Sequence, residues 1–241
     1  MNSAATQFNQ FLGKTAEHVR PIPQEQFKSI LVWTDTVMLS AEVFEDLERF
    51  AQDSMSAGFT IGIASGYRSF DRQLAIWKAK AEGTRQLLSR DEQILDPALL
   101  GNTALLKAIL HWSALPGTSR HHWGSDFDIY PANLLGDKKL DLTVLECKEM
   151  FAEFYAWLTA YLSDGNKAFG RPFYEHDRVP EIKIAEEPWH LSHRETAYRI
   201  SGSYDLALLR DIWKDCALPL LCEVEKDIAN IEANYIRTWA E

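Results

Sequence analysis

Residues 119–128 read Ser-Arg-His-His-Trp-Gly-Ser-Asp-Phe-Asp, and a second short stretch, Glu-Pro-Trp-His, follows at residues 187–190. Imidazole nitrogens and carboxylate oxygens are the usual donors to a catalytic zinc ion, which takes three protein ligands and keeps one position open for water. His121, Asp128 and His190 match that count. The two stretches therefore predict a catalytic Zn²⁺ site.

Glu187 is the candidate general base of this site. A metal-activated water needs a nearby carboxylate that is not itself a ligand, so that its proton can be taken up and later returned to the leaving amine. Glu187 lies three residues before His190, although it could also belong to a solvated acidic turn with Glu186. We favour the catalytic role because of its offset from the histidine.

Three segments together carry a resemblance to a known family. They are Ser-x-His-x-x-Gly-x-x-x-Asp at residues 119–128, Glu-Pro-Trp-His at 187–190, and Ser-Gly-Tyr-Arg-Ser at 65–69, with Gln73 just beyond. In this order they resemble the D-alanyl-D-alanine carboxypeptidase and dipeptidase family of zinc peptidases, which includes vancomycin-resistance carboxypeptidases and L,D-carboxypeptidases. The resemblance spans roughly residues 59–195. It implies that Arg68 holds the substrate and the oxyanion of the tetrahedral intermediate.

The aspartate ligand and the first histidine ligand are chosen by the motif. If residues 125–130 form a strand, Asp126 and Asp128 point to the same face, so alternation does not decide between them. The motif selects Asp128 and leaves Asp126 either as a partner that orients a ligand histidine or as an added negative charge near the metal. It likewise selects His121 over His122.

The remaining candidate site residues would contact substrate. Ser119 and Gln73 are predicted to bind the terminal carboxylate or the backbone of the peptide, although Ser119 could instead cap a turn. Arg68 could be a surface partner of Asp71. Its place in a turn directly after an apolar run favours a functional role.

Composition narrows the class of partner. The chain has 241 residues, a formal net charge of −10, and 46% hydrophobic residues, enough for one core of ordinary size. The acidic balance argues against nucleic acid as a partner.

No apolar run reaches the length of a membrane span, and the N-terminal residues do not resemble a secretory signal. A cytoplasmic location is therefore expected, unless the chain is exported by another route or already processed. Cys147, Cys216 and Cys222 show no ligand spacing and are expected to be reduced thiols.

Hydrophobic periodicity predicts a sequence of helices and strands. Helices are expected over 41–56, 69–82, 99–115, 143–162 and 204–240, and strands over 59–64, 125–130, 169–173 and 181–185. A helical tract is expected from Ser192, with His193 exposed and not a fourth ligand. This arrangement predicts an α+β fold, in agreement with the small antiparallel sheet flanked by helices that the resemblance implies.

The C-terminal residues 203–241 form a predicted helical extension beyond the three segments, within a single domain of 1–241. The sequence leaves open whether this extension completes the core, covers one wall of the cleft or forms a dimer contact. It also leaves the oligomeric state open.

Three functions remain compatible with these features. The leading hypothesis is a zinc carboxypeptidase acting on D-alanine-terminated peptides of peptidoglycan, its precursors or recycled muropeptides, with D,D or L,D specificity undecided. An endopeptidase of the same family would need a cleft open at both ends. A zinc-containing binding module without turnover would have no use for Glu187 and Arg68.

Overall fold

The computed structural model describes residues 4–34, 36–163, 167–174 and 182–238. Its α-helices are α1 Ala4–Leu12, α2 Gln24–Phe27, α3 Phe44–Ser56, α4 Phe70–Ala81, α5 Asn102–Trp112, α6 Ala132–Leu135, α7 Val144–Lys148, α8 Ala152–Leu162, α9 Arg194–Ser201, α10 Leu206–Asp215, α11 Leu221–Lys226 and α12 Ile228–Ile231. Its strands are β1 Val19–Pro21, β2 Leu31–Val32, β3 Met38–Ser40, β4 Ile61–Ser65, β5 Leu87–Leu88, β6 Ile94–Leu95, β7 Asp126–Pro131, β8 Phe169–Gly170 and β9 His190–His193. Short 3-10 turns cover Ala41–Val43, Pro97–Leu99 and Arg120–Trp123, and a π-helical turn covers Glu232–Ile236.

A central sheet positions the predicted site. Its five strands run in the order β2-β4-β7-β9-β8, and every pair is antiparallel except β2 with β4. The register sets Asp128 on β7 opposite Ser65 on one side and His190 on the other. Residues from all three sequence segments thus meet in one row across the sheet. The α+β class and the small, mainly antiparallel sheet flanked by helices are confirmed; the parallel β2–β4 pair is the one departure.

Two hydrophobic clusters enclose the sheet and the site. One packs β2, β4, β7 and β9 against α3 and α8, with Phe127 and Ile129 fully buried between them. The other joins α1, α4 and α5 to the C-terminal helices. Its largest fully buried side chains are Trp77, Trp123 and Trp213. The C-terminal extension is therefore part of a core, which is one of the alternatives that its sequence leaves open.

Local sequence signals set several helix ends. The Ser69 hydroxyl accepts a hydrogen bond from the Arg72 amide at 3.2 Å and begins α4, and Thr143 and Glu146 form the predicted capping box. The predicted helix over 143–162 is interrupted, however. The Phe151 amide donates to the Glu146 carbonyl at 2.9 Å, a turn one residue wider than α-helical, which separates α7 from α8 and buries Phe151.

Two further expectations about the segment before α9 are wrong. No strand forms over residues 182–185, the described part of the predicted strand 181–185; the Lys183 and Ala185 amides instead donate to the carbonyls of Asn234 and His111. His193 is buried and not exposed. Its Nδ1 lies 2.9 Å from the Thr196 hydroxyl and its Nε2 2.9 Å from Asp46, so it joins the start of α9 to α3.

The strand predicted over 169–173 is limited to β8, and the helix predicted over 204–240 divides into α10, α11, α12 and the π-helical turn. Residues 239–241 of that prediction lie outside the described residues. Among the described helices, none has both the length and the apolar character required to cross a bilayer.

Gly124, the glycine of the 119–128 segment, ends the 3-10 turn that carries His121. Its φ of 68° lies in the left-handed region, and its carbonyl accepts the Ser40 amide at 2.8 Å. A Cβ at this position would overlap Val19 Cγ1 and lie 3.0 Å from the Ser40 nitrogen. The turn therefore requires glycine both for its dihedral angles and for the close approach of β1 and β3.

We expect Gly124→Ala to lower the free energy of unfolding by about 2–4 kcal/mol, the sum of left-handed strain and overpacking. Gly83→Ala is the matched control, since Gly83 has a φ of 75° but a Cβ added there would lie no closer than 3.6 Å to its nearest neighbour, Pro97. That variant should lose only about 1 kcal/mol. Urea denaturation of both variants measures the difference, and equal losses would show that the contact with Val19 and Ser40 has no energetic cost.

Candidate metal centre and active site

One cavity of about 120 Å³ brings together six of the seven predicted site residues. Arg68, Ser119, His121, Asp128, Glu187 and His190 all line it. The other lining residues come mainly from the end of α5, the turn before β7 and the C-terminal segment: Trp112, Ser113, Ala114, Thr118, Arg120, Phe173, Ile184, Trp189, Tyr235 and Thr238.

The three predicted ligands form a compact group among the residues that line this cavity. One donor atom from each of His121, Asp128 and His190 lies within 4.8 Å of the others. The His121 Nε2 is 3.5 Å from one Asp128 oxygen, and the His190 Nδ1 is 3.3 Å from the other. All three side chains are buried. The group is a possible metal site with two imidazole nitrogens and one carboxylate.

His121 is oriented by a backbone carbonyl. Its Nδ1 donates to the Gly66 carbonyl at 2.9 Å, so its Nε2 carries the lone pair that faces Asp128. Burial lowers the pKa of His121 to about 4, which keeps the ring neutral at physiological pH. A neutral imidazole with one nitrogen directed inward is the form that binds a metal ion.

Asp126 orients His190 through the other ring nitrogen, Nε2. Its Nε2 lies 3.0 Å from Asp126 Oδ1, so that nitrogen carries the proton and Nδ1 faces Asp128. Burial opposes a charge on the ring, but the hydrogen bond with Asp126 and the nearby carboxylate of Asp128 raise the pKa of His190 to about 9. The surroundings of Nδ1 thus favour a positive charge at this position, which a metal ion also supplies.

Unpartnered buried atoms show that the donor set fits a cation. His190 Nδ1 and Asp128 Oδ1 are both inaccessible to solvent and have no hydrogen-bond partner among the described residues. Leaving such atoms unpaired has a free-energy cost unless a ligand satisfies them. The nitrogen and oxygen donors match the ligand preferences of zinc.

Asp126 has a different role from Asp128. Its carboxylate is fully buried and accepts bonds from Arg120 Nε at 2.7 Å, the Ser125 hydroxyl at 2.5 Å and the Ser192 hydroxyl at 3.1 Å, besides His190. Burial raises its pKa, but Arg120 and His190 together hold the pKa of Asp126 well below its usual range. Both of its oxygens are occupied, so Asp126 orients His190.

His122 uses both of its ring nitrogens in hydrogen bonds within the fold. Its Nδ1 donates to the Arg68 carbonyl at 2.5 Å, and its Nε2 accepts the Gly117 amide at 3.1 Å. Burial lowers the pKa of His122 to about 3, so the ring is neutral and both nitrogens are occupied. His122 joins the turn before β7 to the turn that carries Arg68.

Glu187 lies beside the ligand group without being part of it. Its Oε2 is 3.5 Å from His190 Nδ1, and its side chain is 17% exposed. Burial raises the pKa of Glu187 to about 7, in the range in which a carboxyl group both accepts and returns a proton at neutral pH.

Arg68 and Gln73 form a pair in which only the arginine reaches the cavity. Arg68 Nη1 donates to Gln73 Oε1 at 3.0 Å, and the Gln73 amide donates to the Ala114 carbonyl at 2.7 Å. Gln73 is fully buried and does not line the cavity. Gln73 thus supports Arg68 in the structure, and its expected direct contact with substrate stays a prediction. Ser119 does line the cavity, as expected of a substrate-binding hydroxyl.

Several lining residues are not predicted from the sequence. Phe173 packs its ring against His190, with centroids 4.7 Å apart. Tyr235 and Thr238 come from the C-terminal extension, and Ser113 binds the buried ammonium of Lys80. Isolated aromatic and hydroxyl residues carry no distinctive spacing, so no sequence signal marks them.

Comparison with known proteins agrees with this geometry. The sequence model of the VanY family, D-alanyl-D-alanine carboxypeptidases, matches residues 36–196. The chain therefore belongs to this family of enzymes. A curated relative, an uncharacterised protein of Haemophilus influenzae (strain ATCC 51907 / DSM 11121 / KW20 / Rd), is 32% identical over 103 residues; the match covers 43% of this chain and slightly less than two thirds, 66%, of the relative.

The fold is shared with a solved structure. This structure is that of the LD-carboxypeptidase LdcB, which reveals the molecular basis of peptidoglycan recognition by that protein. It aligns with a TM-score of 0.51 and 18% sequence identity, and the alignment covers 87% of this chain and 78% of the LdcB chain. A mutant of the vancomycin-resistance D,D-pentapeptidase VanY, from a VanB-type cassette and in complex with Zn(II), aligns with a TM-score of 0.46 and 22% identity over 76% of this chain and 89% of its own.

We expect the purified protein to bind about one zinc ion per chain, and His121→Ala, Asp128→Ala and His190→Ala each to lose it, because each removes one of three donors. Asp126→Asn should keep zinc at saturation while its affinity falls about 10- to 100-fold, since it disturbs only the orientation of His190. Metal analysis and a competitive chelator titration measure both effects.

His111→Ala is the matched control for the histidine variants, because His111 is half-buried, lies outside the ligand group and should not alter zinc content. Full zinc occupancy in any one of the three ligand variants would remove that residue from the ligand set.

Proposed function

We propose that this chain is a zinc carboxypeptidase that removes D-alanine from the C-terminus of peptidoglycan stem peptides, their precursors or recycled muropeptides. The observation that carries the proposal is the meeting of the His121, Asp128 and His190 donors with Glu187 and Arg68 in one cavity. Family membership supports the class of reaction and the D-alanine at the cleaved end. The peptidoglycan recognition named for LdcB supports the class of substrate.

His121, Asp128 and His190 would hold the zinc ion. When bound, zinc supplies acidification of a water molecule, from a pKa of ~15.7 towards roughly 7, and polarisation of the peptide carbonyl. The chain's own part in hydrolysis is to position the peptide, to move one proton and to stabilise the charge that develops on the carbonyl oxygen.

Glu187 is suited to the proton transfers. Its carboxylate takes the proton of the attacking water and returns it to the departing amine, which is the amino group of the released D-alanine. A pKa of about 7 lets the same group act as base and then as acid without a large energetic penalty in either step.

Arg68 is suited to stabilising the oxyanion. Gln73 and Ser65 engage the Nη1 and Nη2 atoms of its guanidinium at 3.0 and 3.4 Å and fix the plane of the group beside the ligand cluster. A donor that is already oriented costs no reorganisation when negative charge grows on the carbonyl oxygen. Burial lowers the pKa of Arg68, but a guanidinium remains charged at neutral pH.

A non-catalytic binding module has less support. Binding a metal or a peptide requires neither a carboxylate beside the ligand cluster nor an arginine held over the same cavity.

An activity assay with three substrates separates the remaining possibilities. Release of D-alanine from pentapeptide stems indicates D,D specificity, and its release from tetrapeptide stems indicates L,D specificity. Cleavage of cross-linked dimers indicates an endopeptidase.

Glu187→Gln should retain zinc but lose about 10²–10⁴-fold in turnover of a D-alanine-terminated peptide, since the amide neither accepts nor returns the proton. Glu186→Gln is the matched control, because Glu186 is the exposed neighbouring carboxylate and does not line this cavity. D-alanine release measures both variants. Activity of Glu187→Gln near that of the wild type would reject Glu187 as the proton carrier.

Arg68→Lys should be impaired despite keeping its charge, because one ammonium does not reproduce the planar fork of the guanidinium. We expect kcat to fall by about 10²–10³-fold with a smaller change in KM, the pattern of a contact made to the developing oxyanion. Arg72→Lys, on the exposed side of α4, is the control. A change confined to KM would assign Arg68 to substrate anchoring alone.

A further inference from the structure

Thr238 carries a buried hydroxyl group at the wall of the active-site cavity. The residue follows the π-helical turn of the C-terminal extension, is 3% exposed and lines the cavity. Within the described part of the chain, its Oγ1 has no hydrogen-bond partner. The same is true of two other buried atoms of this cavity, Asp128 Oδ1 and His190 Nδ1. The Thr238 hydroxyl thus shares the property that marks two donors of the candidate metal site.

A second threonine of the cavity wall differs in this respect. Thr118 is 2% exposed, and its Oγ1 donates to the Leu115 carbonyl at 2.9 Å. A buried hydroxyl without such a bond costs free energy, whereas a valine of the same shape would not incur that cost. A ligand that enters the cavity would supply the partner that the described residues do not provide to Thr238.

The backbone around Thr238 is fixed by hydrogen bonds, so its side chain is the group that remains to bind a ligand. The Arg237 amide donates to the Glu232 carbonyl at 3.0 Å, the wide hydrogen bond of a π-helical turn. The Thr238 amide donates to the Ile236 carbonyl at 2.8 Å, and its carbonyl accepts from Arg120 Nη1 at 3.4 Å. Single π-helical turns occur frequently at functional sites.

The surroundings of Thr238 favour a neutral polar group as ligand. Arg120, which contacts the Thr238 carbonyl, is paired with Asp126 at 2.7 Å and also donates to the Ser192 hydroxyl at 2.6 Å. Its charge is therefore balanced by a fully buried carboxylate. A threonine hydroxyl both donates and accepts a hydrogen bond, which matches the N–H and C=O of a peptide group.

The composition of the substrate limits which peptide group this can be. In the proposed reaction, the metal ion, Arg68 and Glu187 act on the peptide group that is cleaved. Besides that group, the polar part of the released residue is a charged carboxylate. The remaining neutral peptide groups therefore lie on the N-terminal side of the cleaved bond.

We propose that the Thr238 hydroxyl binds the peptide group that precedes the cleaved bond, so that the C-terminal extension makes the enzyme prefer acylated peptides to free dipeptides. This inference rests on the proposed function and deepens it by adding a specificity-determining residue. A free dipeptide lacks the preceding peptide group and leaves the hydroxyl without that partner.

The test compares diacetyl-L-lysyl-D-alanyl-D-alanine with D-alanyl-D-alanine. Thr238→Val should lose about 10-fold in kcat/KM on the acylated peptide, mainly through KM, and less than about 3-fold on the dipeptide, because only the former loses a hydrogen bond. Thr238→Ser keeps the hydroxyl and should stay within about 3-fold of the wild type on both. If the protein cleaves only L,D-peptides, the pair is diacetyl-L-lysyl-D-alanine and Nε-acetyl-L-lysyl-D-alanine. If the dipeptide is bound but not cleaved, its inhibition constant is compared instead.

A stability measurement separates substrate binding from a structural role. Thr238→Val should unfold at a urea concentration no lower than that of the wild type, since it removes no hydrogen bond among the described residues. Thr118→Val is the matched control, because it removes the bond with the Leu115 carbonyl. It should unfold at a lower urea concentration and keep the wild-type ratio between the two peptides. Thr238→Ala replaces Thr238→Val if valine is not accommodated, and zinc content is confirmed for every variant.

The outcomes separate this inference from the proposed function. Equal losses of Thr238→Val on both peptides, a lower urea midpoint with an unchanged ratio, or failure of both apolar variants to fold would overturn the role of Thr238 and leave the peptidase intact. If the wild type cleaves none of these peptides, the proposed function fails, and calorimetric binding of the same peptides to the zinc-loaded protein decides the subsite. Tighter binding of the acylated peptide that weakens in Thr238→Val supports it, and equal binding overturns it.

Discussion

The carboxylate of Asp126 accepts four hydrogen bonds in the interior of the protein, and the geometry of the whole site depends on it. Its donors come from the turn that carries His121, from the start of β7 and from β9. Arg120 also donates to the Ser192 hydroxyl at 2.6 Å and to the Thr238 carbonyl at 3.4 Å, which connects the C-terminal segment to the same network. A buried charge is stable only when it is paired and fully hydrogen-bonded, so these segments must keep their relative positions.

This network determines which atoms remain free for a metal ion. Because His190 donates from Nε2 to Asp126 and His121 donates from Nδ1 to the Gly66 carbonyl, the two rings present different nitrogens to Asp128. These two hydrogen bonds hold each ring in a fixed orientation, with one nitrogen of each directed towards the ligand group. Preorganisation of this kind reduces the cost of ordering that binding would otherwise incur.

The sequence predicts the parts of the site that lie in short, chemically distinctive segments. His121, Asp128, His190, Glu187 and Arg68 can be selected because each stands at a fixed offset in such a segment, and the strand order then brings the segments together. The register of β7 with β4 and β9 could not be predicted, since it depends on pairings between residues more than 60 positions apart.

The errors have physical causes of their own. The burial of Gln73 and its hydrogen bonds with Arg68 and the Ala114 carbonyl could not be predicted from its position in the segment, since they depend on the packing of α4 against the end of α5. His193 begins a polar helical turn, which predicts exposure, but Asp46 from α3 provides a buried partner that only the tertiary fold reveals. The interruption at Phe151 arises because a single wide turn buries its ring, a packing gain that helical periodicity alone does not show.

Part of the cavity wall comes from residues that lie outside the match to the family. The family match ends at residue 196, whereas Tyr235 and Thr238 line the cavity and the Thr238 carbonyl contacts the Arg120 guanidinium. The C-terminal helices also supply Trp213, whose indole donates to the Pro116 carbonyl at 2.8 Å, four residues before the turn that carries His121. Since that turn follows Pro116 and Gly117, packing from the extension limits how far it can move. The shared segments thus carry the candidate site residues, and the extension supplies part of the wall around them.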